Sequence, residues 1–420
     1  MISALTLVLT ADCNLCCEYC YANSKRRSHM DWPTLRAALD FGLERGRPGV
    51  KLIFSGGEPL LRFPMIERAV AYVNDRAPSH MQPEFVLLTN GTLLDDGNIR
   101  FLKKNRFDVQ LSFDGVAKTQ SLRGDGTFDE LDRLLTTLAP RHRGFFRRLK
   151  VSMTVTPGTV GCMADSVRYF LGKGVERLAI APSLTDCSGW RPDRHVELKR
   201  EFARISRASL SHYRRTGKIP VLLFRGRDDG RNPAGLRFAW IPGLSMSMCG
   251  IVRGEKLAVD VDGEVSACVT LVGSYQRFGS ALLRDAARAA RLGNVRSRSF
   301  GEKLAGRRER DTDRARSVLS AGPGCPEIFA AKEDKRSSYR SCRECRYFTL
   351  CLVCPVSIAH AKGRRNPRRI PDFGCAFSFA AARQWEAFGR EVCSSPSVRK
   401  TSQSRPRPCR QARTGKIAGR

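Results

Sequence analysis

Cys13-Asn14-Leu15-Cys16-Cys17-Glu18-Tyr19-Cys20-Tyr21 follows the first apolar stretch of this 420-residue chain, and the rest is read from it. Cys13, Cys17 and Cys20 form a C-x3-C-x2-C run that puts three thiolates on one tight loop. Iron–sulfur clusters are normally held by four Cys thiolates, so three leave one iron open to a small molecule that can receive an electron. Cys16 permits competing spacings inside the run, C-x2-C from Cys13 or C-x3-C to Cys20. A structural zinc site is the alternative, usually built from paired C-x2-C knuckles with four ligands.

The length allows one large domain plus a smaller one, and a hydrophobic content of 42% permits a substantial core. Most of the sixteen cysteines fall into two groups within a long chain, which favours metal ligation in a reducing compartment over a disulfide scaffold, so a cytoplasmic protein is expected. The opening Met1 to Asp12 lacks a basic n-region, and its Leu/Thr alternation suits a strand better than a signal peptide. No apolar run reaches membrane-spanning length, so no membrane partner is expected. The net charge of +32 is spread along the chain and would attract an acidic partner. No aromatic-interleaved basic groove or nucleic-acid-binding motif accompanies it, so nucleic acid is not the expected partner.

Residues 3–9 read as a first strand with the cysteine loop at its carboxyl end. A helix is predicted from Asp31-Trp32-Pro33, with Asp31 as N-cap, Pro33 in the first turn and Leu35, Ala38, Leu39, Gly42 and Leu43 on its apolar face. Val50–Ser55, Phe85–Thr89, Val109–Phe113, Leu149–Thr156 and Leu178–Ala181 read as further strands separated by helical periodicity. Such alternation implies a parallel sheet with functional groups at the strands' carboxyl ends. The α/β expectation is a core over 1–224, a linker over 225–244, a smaller Cys-rich domain over 245–385 and a disordered Ser, Pro and Arg rich tail over 394–420.

Ser55-Gly56-Gly57-Glu58-Pro59 follows the second strand, where two glycines let backbone approach a ligand and the carboxylate offers an acceptor to an ammonium group. Thr89-Asn90-Gly91-Thr92 follows the third strand. Ser112-Phe113-Asp114-Gly115 and then Leu122-Arg123-Gly124-Asp125-Gly126 follow the fourth. With the cysteine run, its Asn14 and its Tyr19, these segments resemble the radical S-adenosylmethionine (SAM) superfamily. The resemblance implies a partial (β/α)6 TIM-type barrel and a [4Fe-4S] cluster on Cys13, Cys17 and Cys20 that binds SAM and cleaves it reductively. It places Gly56, Gly57 and Glu58 at the methionyl amine, Tyr19 against adenine, and Ser112 and Arg123 at the ribose or carboxylate. Asn90 and Asp114 are further candidates, each also readable as a capping or turn residue.

Cys249, Gly263, Cys268, Cys342, Cys345, Cys351, Cys354 and Cys375 form a second series, with Val259-Asp260-Val261-Asp262-Gly263 as a β-hairpin turn. The series resembles the SPASM domain, a C-terminal module of radical SAM enzymes holding two auxiliary [4Fe-4S] clusters. The resemblance assigns Cys342, Cys345, Cys351 and Cys375 to the outer cluster, and Cys249, Cys268 and Cys354 to the inner one. Cys351 and Cys354 are separated by two residues where the family has three, which bears on the geometry of Cys354. The fourth inner ligand is Cys325 or a site open to substrate, while paired C-x2-C units also suit tetrahedral zinc. Cys393 and Cys409 are not expected to be ligands.

The resemblance implies an enzyme that acts on peptides or proteins, served by an electron donor such as a flavodoxin or ferredoxin. The leading expectation is a maturase for a ribosomally made peptide that forms thioether or carbon–carbon crosslinks or a related oxidation. Formylglycine formation in sulfatases is the second. Sulfatase maturases carry an Asp base directly after the cysteine matching Cys268, where Val269 stands here. A basic iron–sulfur binding or sensor protein would explain the charge and leave Gly56-Gly57-Glu58 unexplained. Because the chain begins at its first strand, a leader peptide is expected to bind the barrel, the Cys-rich region or a separate protein.

Overall fold

The computed structural model describes residues 1–22, 24, 27–185, 189–225, 254–276, 280–297, 300, 329, 332–348, 351, 354–360 and 366–394. The expected linker, the Ser/Pro/Arg tail, Cys249, Cys325 and Cys409 lie outside them, as does the side chain of Cys393. The described elements begin with β1 (Ile2–Val8), α1 (Trp32–Arg45), β2 (Gly46–Ser55), α2 (Phe63–Arg76), β3 (Glu84–Thr89), α3 (Asp96–Lys104) and β4 (Asp108–Ser112). They continue with α4 (Ala117–Gln120), α5 (Thr127–Arg141), α6 (Arg143–Arg148), β5 (Lys150–Val155), α7 (Met163–Gly172), β6 (Leu178–Pro182) and α8 (His195–Thr216). The Cys-rich part holds β7 (Lys256–Val259), β8 (Glu264–Ser266), α9 (Ala281–Ala290), β9 (Arg291–Asn294), α10 (Pro355–His360) and α11 (Asp372–Ser394).

The strands form one sheet in the order β6-β5-β4-β3-β2-β1-β7-β8-β9. The first six pair in parallel, as the alternation of apolar runs and helices requires. The hairpin of β7 and β8 turns at Gly263, whose φ of +86° is open to glycine. Its first strand adds to the sheet parallel to β1, pairing Ala4 with Lys256 and Leu7 with Val259. The two parts expected as separate domains therefore share one hydrogen-bonded sheet. β1 lies between β2 and β7 with Leu5, Leu7 and Val8 fully buried, which explains a nearly continuous apolar run in place of alternation.

Helix α1 begins as expected, with the Asp31 carboxylate accepting from the Thr34 amide and Pro33 in the first turn. Gly42 lets it lie close to the sheet, because a Cβ there would stand 3.1 Å from Leu5 and 3.3 Å from Leu52. β2 starts at Gly46, four residues before the expected Val50. Gly46-Arg47-Pro48-Gly49 has the composition of a turn, but Gly49 at φ +73° absorbs a register shift between the Ile2 and Ala4 pairings and keeps the segment in the strand. At the far end α11 packs along α8 through Phe377 on Phe202, and Phe388 stacks on Phe224 with ring centroids 4.5 Å apart. Leu5→Ala removes a fully buried side chain from the central strand and should destabilise the protein by about 2–5 kcal/mol, read as a lower denaturant midpoint.

Candidate functional site

The carboxyl ends of β1 to β4 meet around the cysteine loop. The Gly57 amide donates to the Thr10 carbonyl (2.8 Å) and the Glu58 amide to the Asp12 carbonyl (2.9 Å), so the loop after β2 lies directly against the loop after β1. A Cβ on Gly57 would stand 2.1 Å from the Asp12 oxygen and 2.9 Å from the Cys13 Cβ, so only glycine fits. The cysteine loop is also tied down by the Glu18 amide, which donates to Leu122, and by the Thr185 hydroxyl, which donates to the Tyr19 carbonyl (2.6 Å).

Cys13, Cys17 and Cys20 are half-buried, whereas Cys16 is exposed, which separates it from the three expected ligands. The Cys13 sulfur already accepts from the Leu15 amide (3.4 Å) and weakly from the Asn90 side chain (3.9 Å). Asn90 also donates to Asn14 (2.9 Å), and Asn14 to Thr92 (2.8 Å), which fixes the loop after β3 to the cysteine run. Among the described residues, no three Cys, His, Asp or Glu side chains converge on a point that a single metal ion could occupy. Three thiols on one loop, amide donors to sulfur and glycine-lined backbone are the donor set and the space that a cluster with one open iron needs.

Glu58, expected as an acceptor for an ammonium group, has its own donors within the chain. It is fully buried, and its carboxylate accepts from the Leu60 amide (3.0 Å), the Thr89 hydroxyl (2.8 Å) and the Asn90 amide (2.8 Å). Burial pushes its carboxyl up to about 7 against these three donors. The side chain therefore braces the ends of β2 and β3.

Tyr19, Asp114 and Arg123 come together as expected, but two of them serve one another. Asp114 accepts both Nε and Nη2 of Arg123 (2.9 Å each), the Thr154 amide (2.8 Å) and the Tyr19 hydroxyl, which leaves its carboxylate saturated. The structure thus makes Asp114 an anchor for Tyr19 and Arg123 in place of the ligand contact expected of it. Burial holds the Tyr19 phenol well above its ordinary range. Burial alone would lower Arg123, and Asp114 more than offsets it, so the guanidinium stays charged. Among the described residues Nη1 of Arg123 makes no hydrogen bond within the chain, and the Ser112 hydroxyl at the end of β4 is likewise uncommitted and half-buried. These two remain the polar groups able to meet a ligand.

In the second cysteine series, Cys342, Cys345, Cys351 and Cys375 line one cavity together with Lys332, Arg340, Tyr347, Phe348, Ile370 and Phe379. Cys354 lies outside that lining, at the head of α10, which packs on α9, while α9 packs on the turn after Cys268. Burial pushes the Cys342 thiol up to about 12 and Cys375 up to about 11, so both stay protonated until an electrophilic metal takes the proton's place. Lys332, Arg340 and the bracing Thr89 and Thr154 escaped sequence reading, since isolated residues of these types carry no spacing signal.

The radical SAM superfamily model matches residues 7–165, from β1 into α7. Residues 7–165 form a radical SAM domain. The chain is 23% identical over 342 residues to the serine-type anaerobic sulfatase-maturating enzyme of Klebsiella aerogenes, covering 77% of this chain and 79% of that protein. Its fold is similar to native anSMEcpe with bound AdoMet and Kp18Cys peptide, with a TM-score of 0.66, 17% identity and coverage of 92% and 99% of the two chains. It is also similar to Streptococcus suis SuiB bound to precursor peptide SuiA, with a TM-score of 0.53, 12% identity and coverage of 89% and 76%. The α/β fold of these two solved structures thus extends over both cysteine-bearing parts of the chain. Among the described residues, no helix is long and apolar enough to cross a membrane.

Gly57→Ala should fold yet lose most of the iron and acid-labile sulfide that anaerobic reconstitution loads on the N-terminal loop, because the new methyl displaces Asp12 and Cys13. Asp114→Asn strands a buried guanidinium and should cost about 3–5 kcal/mol of stability, measured by denaturant unfolding.

Proposed function

We propose that this chain is a peptide-modifying radical SAM maturase. Cys13, Cys17 and Cys20 would hold the [4Fe-4S] cluster with its open iron. The reading is carried by the backbone contact that seats Gly56-Gly57 against that cysteine loop. When bound, the cluster supplies the electron that cleaves the carbon–sulfur bond of SAM and yields the 5′-deoxyadenosyl radical. The chain's own residues bind and orient. Gly56 and Gly57 give main chain close access, Ser112 and Arg123 Nη1 offer donors at the strand ends, and Asp114 locks Tyr19 and Arg123 in place.

Cys342, Cys345, Cys351 and Cys375 would hold an auxiliary cluster in their shared cavity, and Cys268 and Cys354, with Cys249, a second one. Those cysteines would thereby supply a place for the electron left when hydrogen abstraction is followed by bond formation. The peptide substrate class is supported by the fold shared with anSMEcpe and SuiB, both of which bind peptides. Crosslinking of a ribosomally made peptide is favoured over formylglycine formation, because Val269 follows Cys268. The nearby Asp260 is 2% exposed and held by Ser274 and the Val261 amide, so it is no ready substitute for a base. The electron donor would be a flavodoxin or ferredoxin acting in a reducing cytoplasm.

Anaerobically reconstituted protein with SAM and dithionite should release 5′-deoxyadenosine, and Cys17→Ala should reduce the rate by at least about a hundredfold. With a Cys-containing peptide encoded beside the gene, mass spectrometry should show loss of two hydrogens. An aldehyde formed on a sulfatase peptide would instead establish the second reading, and absence of SAM cleavage would refute both.

A further inference from the structure

The cavity of Cys342, Cys345, Cys351 and Cys375 carries two cations in its wall. Lys332 is 4% exposed, and its ammonium donates to the main-chain carbonyls of Phe348 and Cys351 while standing 4.2 Å from the centroid of the Phe348 ring. These contacts hold the charge in place without neutralising it. Among the described residues no carboxylate forms an ion pair with Lys332, and the neighbouring Asp334 is paired with Arg343. The thiols of Cys342, Cys345, Cys351 and Cys375 share its cavity wall. Arg340 lies on the same cavity with its guanidinium 3.6 Å from the centroid of the Phe379 ring, and its buried Nε–H has no hydrogen-bond partner.

A buried charge without a counter-ion is costly, as is a buried N–H without an acceptor. Both costs vanish if the cavity's occupant is an anion with soft acceptors. Four thiolates on a [4Fe-4S]2+ core make a dianion that gains one further charge on reduction, and nearby charge and hydrogen bonds to sulfur set how easily that electron is taken. We propose that Lys332 and Arg340 are the built-in counter-cations of the cluster held by Cys342, Cys345, Cys351 and Cys375, stabilising its reduced form. The inference rests on the auxiliary-cluster reading above and deepens it by naming the residues that tune the electron acceptor.

The test uses the full chain, reconstituted anaerobically, in a Cys13→Ala/Cys17→Ala/Cys20→Ala background that silences the N-terminal site. Redox titration followed by electron paramagnetic resonance gives the midpoint potential, and Cys342→Ala shows which signal belongs to the cavity. If no signal depends on Cys342, the cluster reading fails and takes the counter-cations with it. If one does, Lys332→Met should lower its ratio of reduced to oxidised cluster about tenfold at fixed potential, a shift of about 59 mV for one electron. Arg340→Gln should move it the same way, and Lys332→Arg should stay near the parent value. Unchanged midpoints in Lys332→Met and Arg340→Gln at full iron content would overturn the proposal. Should Lys332→Met bind no iron at the cavity, retention of iron by Lys332→Arg supports the charge role, and equal loss overturns it.

Discussion

The contact between Gly57 and the cysteine loop is the constraint on which the N-terminal site depends. Two amide-to-carbonyl bonds join the loop after β2 to the loop after β1, and the space between them excludes even a methyl group. A flexible loop of nine residues would spend conformational entropy each time it gathered three thiols. Here that entropy is lost once, on folding, because Thr10, Asp12, Glu58 and Asn90 are already hydrogen-bonded into the strand ends. The buried Glu58 carboxylate completes the arrangement by collecting three donors from β3 and the turn after β2, so the segments that bracket the thiols move together.

Two buried charge arrangements follow opposite logic. Arg123 and Asp114 neutralise each other inside the barrel mouth, and their function is geometric: they present Tyr19 and one guanidinium nitrogen in fixed positions. Lys332 is equally buried but faces thiols, so its charge is left over for whatever those thiols bind. Partner geometry, more than burial, therefore separates a scaffold charge from a tuning charge.

Much of this was legible in residue order because the decisive groups sit in short runs at strand ends. Cys13 to Tyr21, Ser55 to Pro59 and Leu122 to Gly126 each announce a loop whose backbone must come close to something, and the apolar runs between them gave the parallel strands. Direction was what spacing could not convey. Glu58 and Asp114 are acidic residues at suitable positions, yet both point inward, because nearby main-chain amides left without partners compete successfully for their oxygens. Gly46 to Gly49 reads as a turn for the same reason: composition reports the local cost of a strand, whereas pairing with Ile2 is a gain made far along the chain. Lys332 was invisible because one lysine among 73 basic residues has no pattern.

The shared sheet gives the two cysteine-bearing parts a mechanical relation that a linker would not. β7 runs parallel to β1, the strand that leads into the cysteine loop, and the hairpin it opens returns through β8 to Cys268. Both elements therefore leave one hydrogen-bonded surface, and Tyr21, next to Cys20, rests its ring 5.9 Å from that of Tyr275, a few residues beyond Cys268. A movement of Cys268 relative to the cysteine loop would have to break the β1 to β7 ladder or part that aromatic contact. The fixed place of Cys268 relative to the cysteine loop is the structural consequence of that shared sheet.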